Sequence, residues 1–432
     1  MIKVDKIIPG GQALATNEDG RKIFFWNALP GEVIIDYDIT KKKSHYYEAI
    51  ATKINSPSPF RVEPRDTCYL STSPWQIIDY NYELKLKQEL VKEIFREHHI
   101  NIDTPEIFTD HRDYFYRNKM EYALYWDKEQ EQIALAFHAR GSHRKIPIKS
   151  SSIERPEIFN HAKEIIADLN SRQEPAYKYQ SLLLRCNQAG EISGGLYENH
   201  QPHPIFPNLT DTIMGHRYSY SPNGFFQVNL PVYEMALKEI KKHITTDNVL
   251  DLYAGVGTIG LSTAHNHHLT LVECDKFAFS EMVKNTMISN QFELGNSVIR
   301  GLSEVTTENE GFGPVTTGAS DPSRENTIPS SNTIRNGNIF TILAKSEEAL
   351  EYINFNQTVI LDPPRAGCDK KLIERLLAVK PTSIIYLSCN PATQARDVKL
   401  LLSSYEITEV KTYNFFPHTP HIENLVILQK TC

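Results

Sequence analysis

No excess of positive charge runs through this 432-residue chain: Lys+Arg number 46 against Asp+Glu 53, a net charge of -7. That excludes a surface attractive to polyanions all over, so any nucleic-acid contact must be a local basic patch. Long apolar runs are also missing. None approaches the roughly 20 residues of a membrane span, and the opening Met1-Ile2-Lys3-Val4-Asp5-Lys6 lacks the apolar core of a signal peptide. A soluble cytoplasmic protein with no membrane partner is expected. The six cysteines (Cys68, Cys186, Cys274, Cys368, Cys389 and Cys432) show no Cys-x-x-Cys spacing, which indicates neither a disulfide framework nor a zinc site.

What is present organises itself around two short motifs. Val359-Ile360-Leu361-Asp362-Pro363-Pro364-Arg365 and Ser388-Cys389-Asn390-Pro391 each follow an apolar run that reads as a strand buried on both faces of a parallel sheet. Ligands of open α/β sheets bind at strand carboxyl ends. A carboxylate and a thiol are therefore expected in one crevice.

Residues 1–60 read as short strands punctuated by Gly10-Gly11, Asp19-Gly20 and Leu29-Pro30-Gly31, the pattern of a small closed barrel. Lys41-Lys42-Lys43 followed by Tyr46-Tyr47 combines cations and aromatics as single-strand binders do, although taken alone a solvated hairpin tip is the preferred account. After the linker Ser56-Pro57-Ser58-Pro59, residues 61–215 mix helical and strand patterns and are expected to form a central α+β domain; Arg140, His143, Arg144, Lys145 and Lys149 crowd one loop that could contact phosphate. From 216 to 432 strands alternate with helices, which predicts βαβ units and a mostly parallel sheet. Residues 301–338 are polar and without period, and a disordered insertion is expected there.

Asp251-Leu252-Tyr253-Ala254-Gly255-Val256-Gly257-Thr258-Ile259-Gly260 joins a strand to a helix, and Glu273 ends the next strand. Glycines at that junction let backbone approach a ligand at the helix N-terminus, and this loop alone fits a dinucleotide as well as S-adenosylmethionine. Asp251, placed to attract an aminoacyl group, and the Asp-Pro-Pro and cysteine motifs, which have no use in hydride transfer, favour the methyl donor.

A cysteine at a buried strand end is more often a small core residue than a nucleophile. Cys389, however, precedes a helix opened by Asn390-Pro391, where the helix dipole is expected to stabilise a thiolate. Thiolate addition at carbon 6 of uracil makes carbon 5 nucleophilic enough to take a methyl group, and a base must then remove the carbon 5 proton. In His418-Thr419-Pro420-His421-Ile422-Glu423 the preferred base is Glu423, with His418 and His421 as lesser candidates.

These motifs, in this order and together with Phe225-Phe226-Gln227-Val228-Asn229, resemble the RNA 5-methyluridine methyltransferase family over nearly the whole chain. The resemblance implies a Rossmann-like class I methyltransferase domain, an N-terminal OB-like barrel of TRAM type, and a central RNA-binding domain. It implies Cys389 as nucleophile, Glu423 as base, and S-adenosylmethionine contacts at Gln227, Tyr253, Thr258, Glu273 and Asp362. Structured RNA is the implied partner, ribosomal large-subunit RNA before the tRNA T-loop uridine; an amino-methyltransferase and an RNA-binding protein with an inactive sheet domain are the rivals. Many members hold a four-iron cluster on four cysteines. Here only Cys68 stands at such a position, with Ser150-Ser151-Ser152 at another, so no iron–sulfur cluster is expected. Lys345 or Ser346, with Glu347 close by, stands where a carboxylate usually follows the third strand.

Overall fold

The computed structural model describes residues 1–198, 200–203, 206–293 and 333–431. Ile2–Ile7, Ala13–Thr16, Lys22–Trp26, Tyr46–Ser56 and Val33–Lys42 close, in that spatial order, into a barrel. Alternate residues Val4, Ala13, Ala15, Ile23, Phe25, Ile34 and Ala49 fill its interior, as period-two patterning requires. A second sheet runs Gln201–His203, Ile192–Glu198, Ser181–Cys186, Lys119–Asp127, Gln132–His138, Lys145–Pro147. The helix Pro156–Ser171 covers it, burying Ile158, Ala162, Ile166 and Leu169 in a core shared with Tyr122, Leu124, Leu182 and Leu184.

The third and largest sheet carries the motifs. Its nine strands lie in the order Thr333–Asn336, Ile339–Leu343, His268–Glu273, Asn248–Leu252, Gln357–Leu361, Ser383–Ser388, Glu423–Lys430, Tyr405–Tyr413, Glu106–Phe108. The five from Ile339–Leu343 to Ser383–Ser388 are mutually parallel. Strand order reverses between Asn248–Leu252 and Gln357–Leu361, the point at which a doubly wound sheet opens its ligand crevice. The strand Glu423–Lys430 runs antiparallel to Ser383–Ser388, with Ser388 opposite Asn424. Glu423 therefore starts at the edge where Cys389 ends.

Two elements stand out against the expected boundaries. Within 61–215, Glu106–Phe108 pairs with Lys411–Tyr413 at the edge of the large sheet, and the helix Tyr80–Glu97 packs on the helix Pro391–Leu401. A three-residue strand has no readable period, which is why its pairing was hidden. Within the expected disordered insertion 301–338, Thr333–Asn336 is a strand antiparallel to Ile339–Leu343. The rest of that insertion lies outside the described residues. Among the described residues no helix is long and apolar enough to cross a membrane.

Candidate active site

Five loops converge at the carboxyl edge of the large sheet. The Cys389 turn is held by its neighbours: Asn390 N donates to Ser388 Oγ at 3.1 Å, and Asn390 Oδ1 caps the following helix by accepting from Ala392 N at 3.2 Å. Asn390 Nδ2 and Thr393 Oγ1 both donate to the Arg365 carbonyl, at 2.8 and 3.2 Å. The Asp-Pro-Pro-Arg loop and the cysteine turn are thus one rigid piece. Asp397 extends the lock, accepting from Cys368 N and from Tyr386 Oη, each at 2.9 Å.

Arg365 turns its guanidinium into this group, with Nη2 3.0 Å from His421 Nδ1. Burial, with the Arg365 charge adding to it, pushes the His421 ring down to about 4, so it is neutral and accepts the arginine proton. Glu423 is buried at 4% exposure; burial and the nearby Asp362 carboxylate hold its carboxyl well above the usual range, against the opposing pull of Arg365. Asp362 is raised by burial to about 7. The Cys389 thiol is half-buried and pushed up to about 11 by burial, then by Glu423 and Asp362, with Arg365 pulling the other way. The stabilisation expected from the helix N-terminus is opposed here first by burial and then by two carboxyl groups brought in by other strands.

The glycine loop lies beside this group. Gly255 faces open space, with nothing within 4 Å of where a Cβ would stand. Glu273 accepts Gly255 N at 2.8 Å, Cys274 N at 2.8 Å and Asp275 N at 2.6 Å. Tyr253 sits at φ +68° and its hydroxyl is bonded to Ser346, with Glu347 near. Thr258 opens the next helix, and its carbonyl lies 3.4 Å from the Tyr218 hydroxyl. Asp251 departs from its expected place facing the ligand: it is wholly buried, accepts Gly260 N at 2.9 Å, and burial raises it to about 8. It braces the loop from beneath. Carboxyl groups at adjacent strand ends, backbone N–H groups and an open glycine fit a cationic ligand bearing ribose hydroxyls.

The Phe225–Gln227 loop divides in two. Phe226 is buried, stacked 3.8 Å from the Tyr220 ring, while Phe225 is 74% exposed. Three residues missed by the sequence reading fix this loop: Arg185, fully buried, donates to Phe226 O at 2.8 Å; Lys119 donates to Asn223 O at 3.0 Å; and Asn118 Nδ2 donates to Gln227 O at 3.1 Å. An inward-facing Arg in the strand run Ser181–Cys186 was the available signal. His418, weighed as a base, is 2% exposed and turned away from the crevice, between Glu83 and Asp113.

At the position of the absent cluster ligands, Cys68 is buried, with its thiol pushed up to about 12 by burial. Asp66 there accepts from Gln76 Nε2 at 2.8 Å and from Ser152 N and Oγ at 2.9 Å. Part of the basic loop is also committed: Arg140 stacks over the Trp26 ring and donates to Leu70 O, and Lys145 donates to Leu124 O at 2.7 Å.

Comparison with known proteins adds to this geometry. Residues 331–431 match the tRNA (Uracil-5-)-methyltransferase family model. An uncharacterized RNA methyltransferase of Bacteroides thetaiotaomicron is 26% identical, over 97% of this chain and 99% of its own length. One from Treponema denticola is 28% identical, over 100% of this chain and 99% of its own. The crystal structure of Pyrococcus abyssi tRNA (uracil-54, C5)-methyltransferase in complex with S-adenosyl-L-homocysteine shares the fold, with TM-score 0.70 and 20% identity, covering 99% of this chain and 100% of that one. The matched segment contains Asp362, Cys389 and Glu423, so the chain is similar to tRNA (uracil-5-)-methyltransferases over residues 331–431 and to RNA methyltransferases over nearly its whole length.

Proposed function

We propose that this protein methylates carbon 5 of a uridine in RNA, with Cys389 as nucleophile and Glu423 as base. The observation that carries the reading is the meeting of Cys389, Arg365, Asp362 and Glu423 at the crevice where strand order reverses. S-adenosylmethionine would supply an electrophilic methyl group, and Glu273, Asp362, Tyr253, Thr258 and Gln227 would hold it. Cys389 would add to carbon 6, and carbon 5 would take the methyl group as the methyl–sulfur bond of the donor breaks and its electron pair stays on sulfur, leaving S-adenosylhomocysteine. Glu423 then removes the carbon 5 proton, and the returning electrons break the carbon–sulfur bond. Burial and the Asp362 carboxylate favour the protonated form of Glu423, so reaching the base form works against both. The positive charge of the methyl donor, arriving among carboxyl groups, favours both that ionisation and the thiolate.

A uridine stacked in a helix cannot reach Cys389, so the target base is flipped out or lies in a loop. Exposed Phe225 is suited to stack on it. The barrel and the six-stranded sheet would grip the surrounding RNA. Large-subunit ribosomal RNA is the proposed substrate. The name of the Pyrococcus abyssi protein favours a second reading, the tRNA T-loop uridine. The test is nucleoside mass spectrometry after incubation with labelled S-adenosylmethionine and separated undermodified ribosomal and transfer RNA. Labelled 5-methyluridine from wild type and none from Cys389→Ala is expected; label in a methylated adenosine or guanosine would sink the reading in favour of amine methylation.

A further inference from the structure

Glu423 is delivered to the crevice by residues 414–422, the connection between Tyr405–Tyr413 and Glu423–Lys430. Such a connection has no ladder of its own, so its backbone polar groups need partners elsewhere. Several come from one helix. Glu83 and Lys87 lie one turn apart on Tyr80–Glu97; both side chains are wholly buried, and they meet at 2.8 Å. The two Glu83 carboxylate oxygens accept His418 N at 3.1 and 2.9 Å, and one of them accepts Asn414 Nδ2 at 3.4 Å. Lys87 Nζ donates to Asn414 Oδ1 at 2.6 Å and to Phe416 O at 3.1 Å.

The far side of the connection is held too. Trp75 N donates to His418 O, and Tyr116 Oη donates to Pro417 O, both at 3.0 Å. His418, at φ +59°, has its ring between Glu83 and Asp113 and 4.2 Å from the Tyr114 ring.

A buried ion pair is a poor source of stability, since well-packed apolar residues of similar volume do as well or better. It offers direction instead. Beyond the helix, the hydrogen bonds of this pair all go to Asn414, Phe416 and His418, the run that ends at Glu423. We infer that Glu83 and Lys87 are positioning residues for the base: they set the path of 414–422 and so hold the Glu423 carboxyl against carbon 5 of the substrate. The inference rests on the uridine reaction proposed above.

That reaction divides in time at the step Glu423 performs. Bond formation between Cys389 and carbon 6, and methylation of carbon 5, precede it; proton removal and cleavage of the carbon–sulfur bond follow. Misplacing Glu423 slows the second half far more than the first, which does not use its proton removal, so a covalent protein–RNA adduct accumulates. The full-length double variant Glu83→Leu/Lys87→Met and the milder Tyr116→Phe, which removes only the hydroxyl on Pro417, are compared with wild type on undermodified RNA in single-turnover assays. A denaturing gel reads the adduct and mass spectrometry reads released product.

The double variant is expected to form adduct at near wild-type rate and release product roughly 100-fold more slowly, the scale of a misplacement of about 1 Å. Tyr116→Phe is expected to shift the partition the same way by less, and it carries the test alone if the double variant does not fold. Adduct and product falling in parallel, or turnover unchanged in both variants, would overturn the positioning role. Wild type that makes no 5-methyluridine would instead overturn the reaction itself.

Discussion

At the scale of single residues, the free site is short of positive charge. Asp362, Glu423 and the Cys389 thiol share a crevice with Arg365; burial raises all three, and neighbouring carboxyl groups add to it for Glu423 and Cys389. A thiol with a pKa of about 11 is almost wholly protonated at pH 8, so its reactivity should climb about tenfold per pH unit as the thiolate fraction grows. Iodoacetamide labelling of the Cys389 peptide, followed by mass spectrometry, is expected to be slow at pH 8 and still rising at pH 10. Asp362→Asn removes a charge that opposes the thiolate, so labelling at pH 8 should become roughly two- to tenfold faster. A labelling rate already level between pH 8 and pH 10 would contradict this account. The thiol, Asp362 and Glu423 were legible from the sequence because each adjoins an apolar strand run. Their mutual effect was not. It depends on Ser388 pairing with Asn424, which brings Glu423 alongside the cysteine from 34 residues away in the chain.

At the scale of elements, the parallel strands were readable because burial on both faces leaves an apolar run, whereas Glu106–Phe108 and the partners of the 414–422 connection were not. The barrel meets that connection at Gly11. Gly11, at φ +91°, lies so close to Pro420 that a Cβ would stand 2.1 Å from the proline Cβ, and its carbonyl accepts Trp75 Nε1 at 3.0 Å. Gly10, at φ +95°, has nothing within 4 Å of the same position. The pair forms a built-in control. Gly10→Ala should cost only the left-handed strain, about 1–2 kcal/mol. Gly11→Ala adds a steric collision worth roughly a further 1–3 kcal/mol, and it pushes on the segment that carries Glu423. Denaturant unfolding and methylation assays on both variants are expected to show a larger stability loss, and a selective activity loss, for Gly11→Ala. Equal effects would mean that the barrel does not brace the connection. Gly10-Gly11 reads as a turn in the sequence; that Pro420 rests on it is a property of the assembled chain.

At the scale of the whole molecule, the problem is how a chain of net charge -7 holds a polyanion. The cations must be concentrated where the RNA lies, and several in the sequence are already committed: Arg140 to Trp26 and Leu70, Arg185 to Phe226, Lys119 to Asn223, Lys87 to Glu83. The barrel tip is different. Lys42 and Lys43 are exposed, and Arg21 and Lys42 flank the Tyr47 ring at 4.7 and 5.4 Å, although Lys41 is paired with Glu48 at 2.8 Å. Cations around an accessible aromatic ring are what a splayed RNA strand needs. Replacing Lys42 and Lys43 together by glutamate should therefore weaken RNA binding. If both lysines neutralise phosphates, the slope of log affinity against log salt should become shallower by about 1.4–1.8, which is about 0.7–0.9 for each lysine replaced. Turnover at saturating RNA should stay near wild type, because the tip lies outside the crevice and its loss removes attraction without touching the reacting groups. Fluorescence anisotropy across a salt series measures the first and single-turnover kinetics the second. An unchanged salt slope would place the RNA elsewhere, and the exposed face of the six-stranded sheet would then be the surface to map.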